Sequence, residues 1–273
     1  MAAVSKDMIR QVLVDAFRTD ENVLAFWEGG SLAMGRADQW SDLDLQVLTR
    51  DGYAKTAQSA IESALQSLGT IDITYNLPEP TWHGHLQVFY RLAEADPLWL
   101  VDLLIMEEKN PMWFLEPELH GRPVVYIDRT GITAPSPSDA PALARTLEAR
   151  IAALEVIPEL FHRFLEKDLR RGRPLDALAT YQDLVQRAVE AVRILYCPWR
   201  YNFGIRYLQY DLPQREYERV LAMAFVSAPE ELLAHKPALM ELFEETTPKL
   251  QQLDLVQHLE STRGGMTPEA RRP

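Results

Sequence analysis

Residues Trp27 to Val47 read W-E-G-G-S-L-A-M-G-R-A-D-Q-W-S-D-L-D-L-Q-V. Two features of this stretch serve chemistry better than they serve folding. Asp42 and Asp44 stand at i and i+2 in the alternating run D-L-D-L-Q-V-L-T. On a strand both carboxylates share one face, while Leu43 and Leu45 face the core. Like charges at that spacing repel unless something cationic lies between them. A hard, all-oxygen pair suits Mg²⁺, which one or two carboxylates commonly hold together with substrate phosphates. Upstream, Gly29-Gly30-Ser31 is the complement. Glycine lets backbone come close to a ligand, and amides at a helix start point toward an anion. One element offers a metal site and the other a phosphate site.

The same residues, G-G-S-L-A-M-G-R-A-D-Q-W-S-D-L-D-L, resemble the signature of the nucleotidyltransferase fold, the polymerase-beta-like superfamily: Gly-Ser, a spacer, then Asp-x-Asp on a strand. The resemblance covers the first half of the chain. The helical second half is similar in layout to antibiotic nucleotidyltransferases acting on aminoglycosides or lincosamides. The resemblance implies transfer of a nucleoside monophosphate from an NTP, ATP first among them, to an acceptor hydroxyl, with pyrophosphate released. Residue by residue, it implies that Gly30 and Ser31 hold the triphosphate and that Asp42 and Asp44 hold one or two Mg²⁺ ions. It also implies a third carboxylate on a later strand, binding metal or activating the acceptor.

Asp102 is the residue nominated for that place. It stands alone in L-W-L-V-D-L-L-I-M, residues 98–106. A buried, unpaired carboxylate costs several kcal/mol, so it shifts its pKa or finds a cation. General base and metal ligand both fit, and so does the plainer reading of a structural carboxylate paired with Arg91. For Asp42 and Asp44 the plainer reading is a solvated strand face with Ser41 making turn contacts. Ser31 sits where a helix N-cap belongs, a role compatible with phosphate binding. Arg36 follows the turn within reach of phosphates.

Further along, C-P-W-R-Y-N-F-G-I-R-Y-L-Q-Y-D-L-P (197–213) concentrates aromatics and arginine. Trp199, Arg200, Tyr201, Arg206 and Tyr207 suit a stacking surface or acceptor pocket, although aromatics between helices more often form core. Arg170, Arg171 and Arg173 suit either phosphate or the end of the preceding helix. His83 and His85 in W-H-G-H-L have metal-pair spacing without further ligands nearby, which favours loop or edge positions. Cys197 reads as a small buried apolar residue.

These residues need elements to hold them. The chain has 273 residues, 47% of them hydrophobic, enough for a substantial core. Its net charge of −12 argues against broad nucleic-acid binding. A single cysteine excludes an intrachain disulfide, the N-terminus reads as an amphipathic helix rather than a signal, and no apolar run reaches the roughly 20 residues of a membrane span. A cytoplasmic protein is expected. Periodicity predicts a helix over 5–19 facing inward through Met8, Val12, Val14 and Phe17, a strand at Val23–Trp27, and a strand at Asp42–Thr49. It then predicts a helix over 53–68 and strands at Thr70–Tyr75, His85–Leu92, Leu98–Met106 and Pro123–Ile127. Residues 130–141, T-G-I-T-A-P-S-P-S-D-A-P, read as a linker. Helices follow over Pro141–Arg170 and Leu175–Tyr196, then shorter segments from Gln214 to Ser261, before a tail expected to fray.

The expected class is α+β: a mixed sheet with flanking helices over 1–129, then a helical domain over 141–262 that binds acceptor or dimerises. Two other readings stay open. One transfers AMP to a protein side chain in the manner of antitoxin-type members, which are short single domains. The other is a non-catalytic nucleotide-binding module, which the retention of all three acids disfavours.

Overall fold

The computed structural model describes residues 3–264, so the end of the tail expected to fray lies outside the described residues. The chain divides into two compact units, Met1–Ser138 and Asp139–Pro273.

The first unit is a six-stranded sheet in the order β3-β4-β5-β2-β1-β6. Its strands are β1 Val23–Glu28, β2 Leu43–Thr49, β3 Ile71–Asn76, β4 Leu86–Leu92, β5 Val101–Glu107 and β6 Val124–Asp128. Only β2 and β5 pair in parallel; the remaining neighbours are antiparallel. Helices α1 (Lys6–Phe17) and α3 (Ala54–Gln66) cover one face, while the short helices α2 (Gly30–Ala33) and α4 (Pro117–His120) follow β1 and precede β6. Ser5 caps α1 by accepting the Met8 N–H at 3.2 Å. Its buried stripe is Ile9, Leu13 and Phe17, at i and i+4. The phase expected from Met8 and Val12 is thus one residue early, since a four-residue repeat from Ile9 keeps the three largest apolar side chains on one line. Ala57, Ile61 and Leu65 repeat the pattern on α3.

Alternation splits each central strand. Leu43, Leu45 and Val47 of β2 and Val101, Leu103 and Ile105 of β5 enter the core under these helices. Leu48, Leu104 and Met106 join Trp27 and Leu115 in a smaller cluster on the opposite face. Asp44 and Asp102 therefore emerge on the face that α1 and α3 leave uncovered.

The stretch expected as a linker folds onto the first unit. The Asp128 carboxylate accepts the N–H groups of Thr130, Gly131 and Thr133 at 3.0, 2.7 and 3.0 Å, and Glu118 accepts the Ser138 N–H at 3.2 Å. Two carboxylates thus order a segment whose composition alone reads as loose.

The second unit is helical. It contains α5 (Ala140–Arg170), α6 (Pro174–Tyr196), the short α7 (Leu208–Asp211), α8 (Gln214–Ala224), α9 (Pro229–Gln251) and α10 (Leu255–Ser261). Helix α9 runs on through Pro237 and Pro248, which is why its pattern reads as shorter pieces. Within its core lies a charged cluster. Arg193 and Asp211 are fully buried, with Arg193 Nη1 donating to Asp211 Oδ2 at 2.8 Å and Nε to the Gly204 carbonyl at 2.8 Å. Arg200 donates to the other Asp211 oxygen. Removing the carboxylate would strand two buried guanidiniums. Asp211→Ala is expected to lower the stability of this unit by about 3–5 kcal/mol, read by urea unfolding of the full chain.

Candidate active site

Parallel pairing brings together acids far apart in sequence. In the β2/β5 register Asp44 stands directly opposite Asp102. Neighbouring strands lie about 4.8 Å apart, so these side chains rise side by side. Asp102 is half-buried. Burial pushes its pKa up to about 6; the Gln87 hydrogen bond opposes the rise, and the charges of Asp44 and Asp42 reinforce it. The Gln87 amide donates to Asp102 Oδ1 at 2.7 Å. Pairing with Arg91 does not occur, because that guanidinium forks onto Asp72 with Nε at 3.0 Å and Nη2 at 2.5 Å.

The glycine turn lies against the side chains of Asp44 and Gln46. Gly29 N–H donates to the Asp44 carbonyl at 2.8 Å. Gly30 has φ +53°, and a Cβ there would meet Asp44 Oδ2 at 1.7 Å. A Cβ on Gly29 would meet the Gln46 amide at 2.5 Å. Gly30 is therefore required both by contact and by conformation, whereas at Gly29 only the end of the Gln46 side chain would have to move. The short helix α2 (Gly30–Ala33) starts here, with Gly29 as its N-cap and no side-chain cap. Ser31 is thus inside the first turn rather than at the cap expected of it, because the chain turns one residue earlier to reach the Asp44 carbonyl. Arg36 is half-buried, and its N–H closes on the Ser31 carbonyl at 2.8 Å.

Supports hold this turn from both sides. Glu28, the last residue of β1, is 1% exposed; Arg10 of α1 forks onto it at 2.6 and 2.8 Å, and the Tyr126 hydroxyl donates at 2.6 Å. Beyond α2, Lys6 sits 4.5 Å from the centre of the Trp99 ring, and Trp99 Nε1 donates to the Gln39 carbonyl at 2.7 Å.

Asp42 has a distinct task. It is exposed just before β2, and its Oδ1 accepts the Leu100 N–H at 2.8 Å, joining the starts of β2 and β5. Among the described residues no group of three or more His, Cys, Asp or Glu side chains is gathered to hold a metal ion unaided. The residues fit a different donor set: carboxylates set side by side, one against a glycine turn, open to completion by phosphate oxygens. Among the described residues Asp102 has no ion pair, and Gln87 donates to its carboxylate.

Three residues at this site escape a reading by motif. Gln87 in L-Q-V-F-Y-R-L and Gln46 on β2 fall on the less buried face of their strands, opposite Leu86/Val88 and Leu45/Val47; a polar residue on an inner strand of the sheet is the signal for both. Phe89 stands in register with Asp102 and stacks on Tyr75 at 6.4 Å between ring centres. His83 and His85 are buried in the loop before β4, their rings stacked at 5.6 Å, with His85 Nε2 on the Met112 carbonyl.

The aromatic and arginine segment of the helical unit divides. Trp199 is buried, with Nε1 donating to the Leu259 carbonyl at 3.0 Å, and Arg200 is buried on Asp211. These two, expected to meet a substrate, are structural because burying their polar ends required partners inside the helices. Arg206 and Tyr207 are exposed and bonded to each other at 3.0 Å. Tyr201 lines a cavity of about 390 Å³ with Arg150, Asp183, Gln186, Arg187 and Glu190. Arg150 forks onto Glu190 at 2.5 and 2.7 Å. Asp183 Oδ2 and Arg187 Nε lie 3.6 Å apart, both buried and neither hydrogen-bonded among the described residues. Cys197 is buried, as expected, and burial pushes its thiol pKa up. No helix among the described residues is long and apolar enough to cross a membrane.

The raised Asp102 pKa has a consequence for stability. The unfolded chain ionises this acid near pH 4, the folded chain near pH 6, so a penalty grows between those values and persists above them. Asp102→Asn is expected to stabilise the protein by on the order of 1–2 kcal/mol at pH 7 and by almost nothing below about pH 4, measured by denaturant unfolding at both.

No protein-family model matches the chain, and no curated protein matches it. Among solved structures the chain is similar to spectinomycin adenyltransferase AAD(9) from Enterococcus faecialis, solved with ATP and spectinomycin. The match covers 90% of this chain and 98% of that one, at 9% identity and a TM-score of 0.33.

Proposed function

We propose that the chain is a magnesium-dependent nucleotidyltransferase that moves a nucleoside monophosphate from an NTP, ATP first among them, to a hydroxyl of a small acceptor. The observation carrying this reading is the Asp44–Asp102 register with the Gly30 turn seated on the Asp44 carboxylate. The motif resemblance of G-G-S through D-L-D-L agrees with it.

In this reading Gly30 and Ser31 bring backbone to the triphosphate, with Arg36 close behind. Asp44, with Asp42 at the start of the strand, would hold Mg²⁺ together with phosphate oxygens. Bound there, the ion would neutralise charge on the phosphates. Asp102 accepts the proton of the acceptor hydroxyl. The hydroxyl oxygen bonds to the α-phosphorus, the bond from that phosphorus to the bridging oxygen breaks, and pyrophosphate leaves with the electron pair. A carboxylate with its pKa near 6 is well matched to this work, since a base serves best when its pKa approaches the operating pH.

The motif resemblance points to an aminoglycoside or a lincosamide as the hydroxylated acceptor, and action on either would make the protein an antibiotic-resistance enzyme.

A pyrophosphate-release screen of the four NTPs against aminoglycosides, lincosamides and metabolite alcohols tests the reading. Wild type is expected to release pyrophosphate with at least one pair. Asp44→Asn and Asp102→Asn are each expected to cut kcat by at least about 10²-fold, with the melting temperature no lower than wild type. Full turnover in both variants overturns the assignment. Gly30→Ala is expected to abolish turnover as well, because the added methyl displaces the Asp44 carboxylate.

A further inference from the structure

Behind Asp102 stands a directed chain of hydrogen bonds that the reaction as described does not use. The backbone N–H of His85 donates to His83 Nδ1 at 3.1 Å. Accepting from this backbone N–H assigns the ring N–H of His83 to Nε2, with the Thr81 hydroxyl oxygen 3.2 Å from the same Nδ1. Nε2 lies 3.2 Å from Gln87 Oε1 and donates to it. With its oxygen so engaged, the Gln87 amide turns its NH₂ outward, and that group meets Asp102 Oδ1 at 2.7 Å. The carboxylate can only accept, so the chain is consistent from both ends. A backbone donor in the loop before β4 thereby sets the orientation of an amide on β4 and a carboxylate on β5.

The His83 ring has little freedom. It is 4% exposed, stacks on His85, and meets the edges of Trp82 and Phe114 at 5.1 and 6.0 Å. The Thr81 hydroxyl donates to the His85 carbonyl at 2.7 Å and fixes the same loop, while Asn110 donates to the His83 carbonyl at 2.8 Å. Nothing in a plain β-hairpin needs this arrangement. Gln87 is a polar residue on a strand whose neighbours Leu86 and Val88 are buried and apolar.

We propose that Gln87 is the positioning residue of Asp102, and that His83 directs it by fixing which end of the amide faces the carboxylate. The inference rests on the transferase reading for its effect on rate, but the relay itself is testable without turnover. Without His83, the amide is free to present its oxygen to Asp102, where two acceptors oppose each other. Without Gln87, Asp102 loses the bond that holds one of its oxygens.

Two measurements separate the relay from the reaction. In ¹⁵N NMR of the full chain, His83 is expected as the Nε2–H tautomer, and the Gln87 side-chain amide as shifted and protected from exchange. His83→Asn keeps an acceptor near the position of Nδ1 and deletes the Nε2 donor, and it is expected to erase that Gln87 signature. In the pyrophosphate assay Gln87→Leu is expected to lower kcat by about 10²-fold, and His83→Asn by about tenfold. Both should leave KM for the NTP within about twofold of wild type. The double variant is expected to be no slower than Gln87→Leu alone, since the two residues act in series.

An Nδ1–H tautomer, full kcat in Gln87→Leu, a loss confined to KM, or effects that multiply in the double variant would each overturn the proposal. If wild type turns over no substrate while the NMR relay is intact, the transferase reading falls and the positioning of Asp102 by Gln87 is upheld. If wild type turns over and Gln87→Leu matches it, the positioning falls and the transferase reading stands.

Discussion

Two carboxylates on neighbouring parallel strands, side by side and partly out of water, are the constraint around which the first unit is arranged. Repulsion between Asp44 and Asp102 and the desolvation of Asp102 both oppose folding, and the upward pKa of Asp102 records that opposition. A chain selected for stability alone has no reason to keep such a pair at the middle of its sheet. Leu and Val, which fill the other face of the same strands, would serve better there. Structures that retain local cost of this kind use the site for something else.

Everything near the pair works to hold it in place. Gly30 has no room for a side chain, so backbone lies directly on the Asp44 carboxylate. Glu28, buried between Arg10 and Tyr126, fixes the residue before that turn, and its cost of burial is offset by a forked guanidinium and a phenol. Asp42 joins the starts of the two acid-bearing strands through the Leu100 amide. On the far side of Asp102, Gln87 and His83 add a rigid backing. The result is a face on which acids are placed by backbone and by buried polar bonds rather than by mobile surface side chains.

The helical unit follows a related logic with a different outcome. Its buried Arg193–Asp211–Arg200 cluster pairs opposite charges inside the unit and ties the irregular segment 197–213 to α6. At the cavity, Arg187 and Asp183 pair at 3.6 Å while Arg150 forks onto Glu190. Both sets of ion pairs join elements of the unit.

Much of this was legible from the chain itself. Alternation in D-L-D-L-Q-V-L-T and L-V-D-L-L-I-M required both strands and put their acids opposite the core, and the glycine pair announced a close backbone approach. The lone Asp102 among apolar neighbours announced its own anomaly. Those conclusions need only the two-residue period of a strand and the cost of burying charge. Tertiary structure decided what local patterns cannot encode. Strand order and the parallel register matched residue 44 with residue 102, because pairing across 58 positions depends on the whole sheet. Gln87 and His83 acquired a role only through a neighbour on another strand. Trp199 and Arg200 went to the core because their partners, the Leu259 carbonyl and the Asp211 carboxylate, are brought to them only by the folded helices. Residues 130–138 became ordered through Asp128 and Glu118 rather than through their own composition. Periodicity reports which way a side chain faces, whereas only the folded chain determines what it meets.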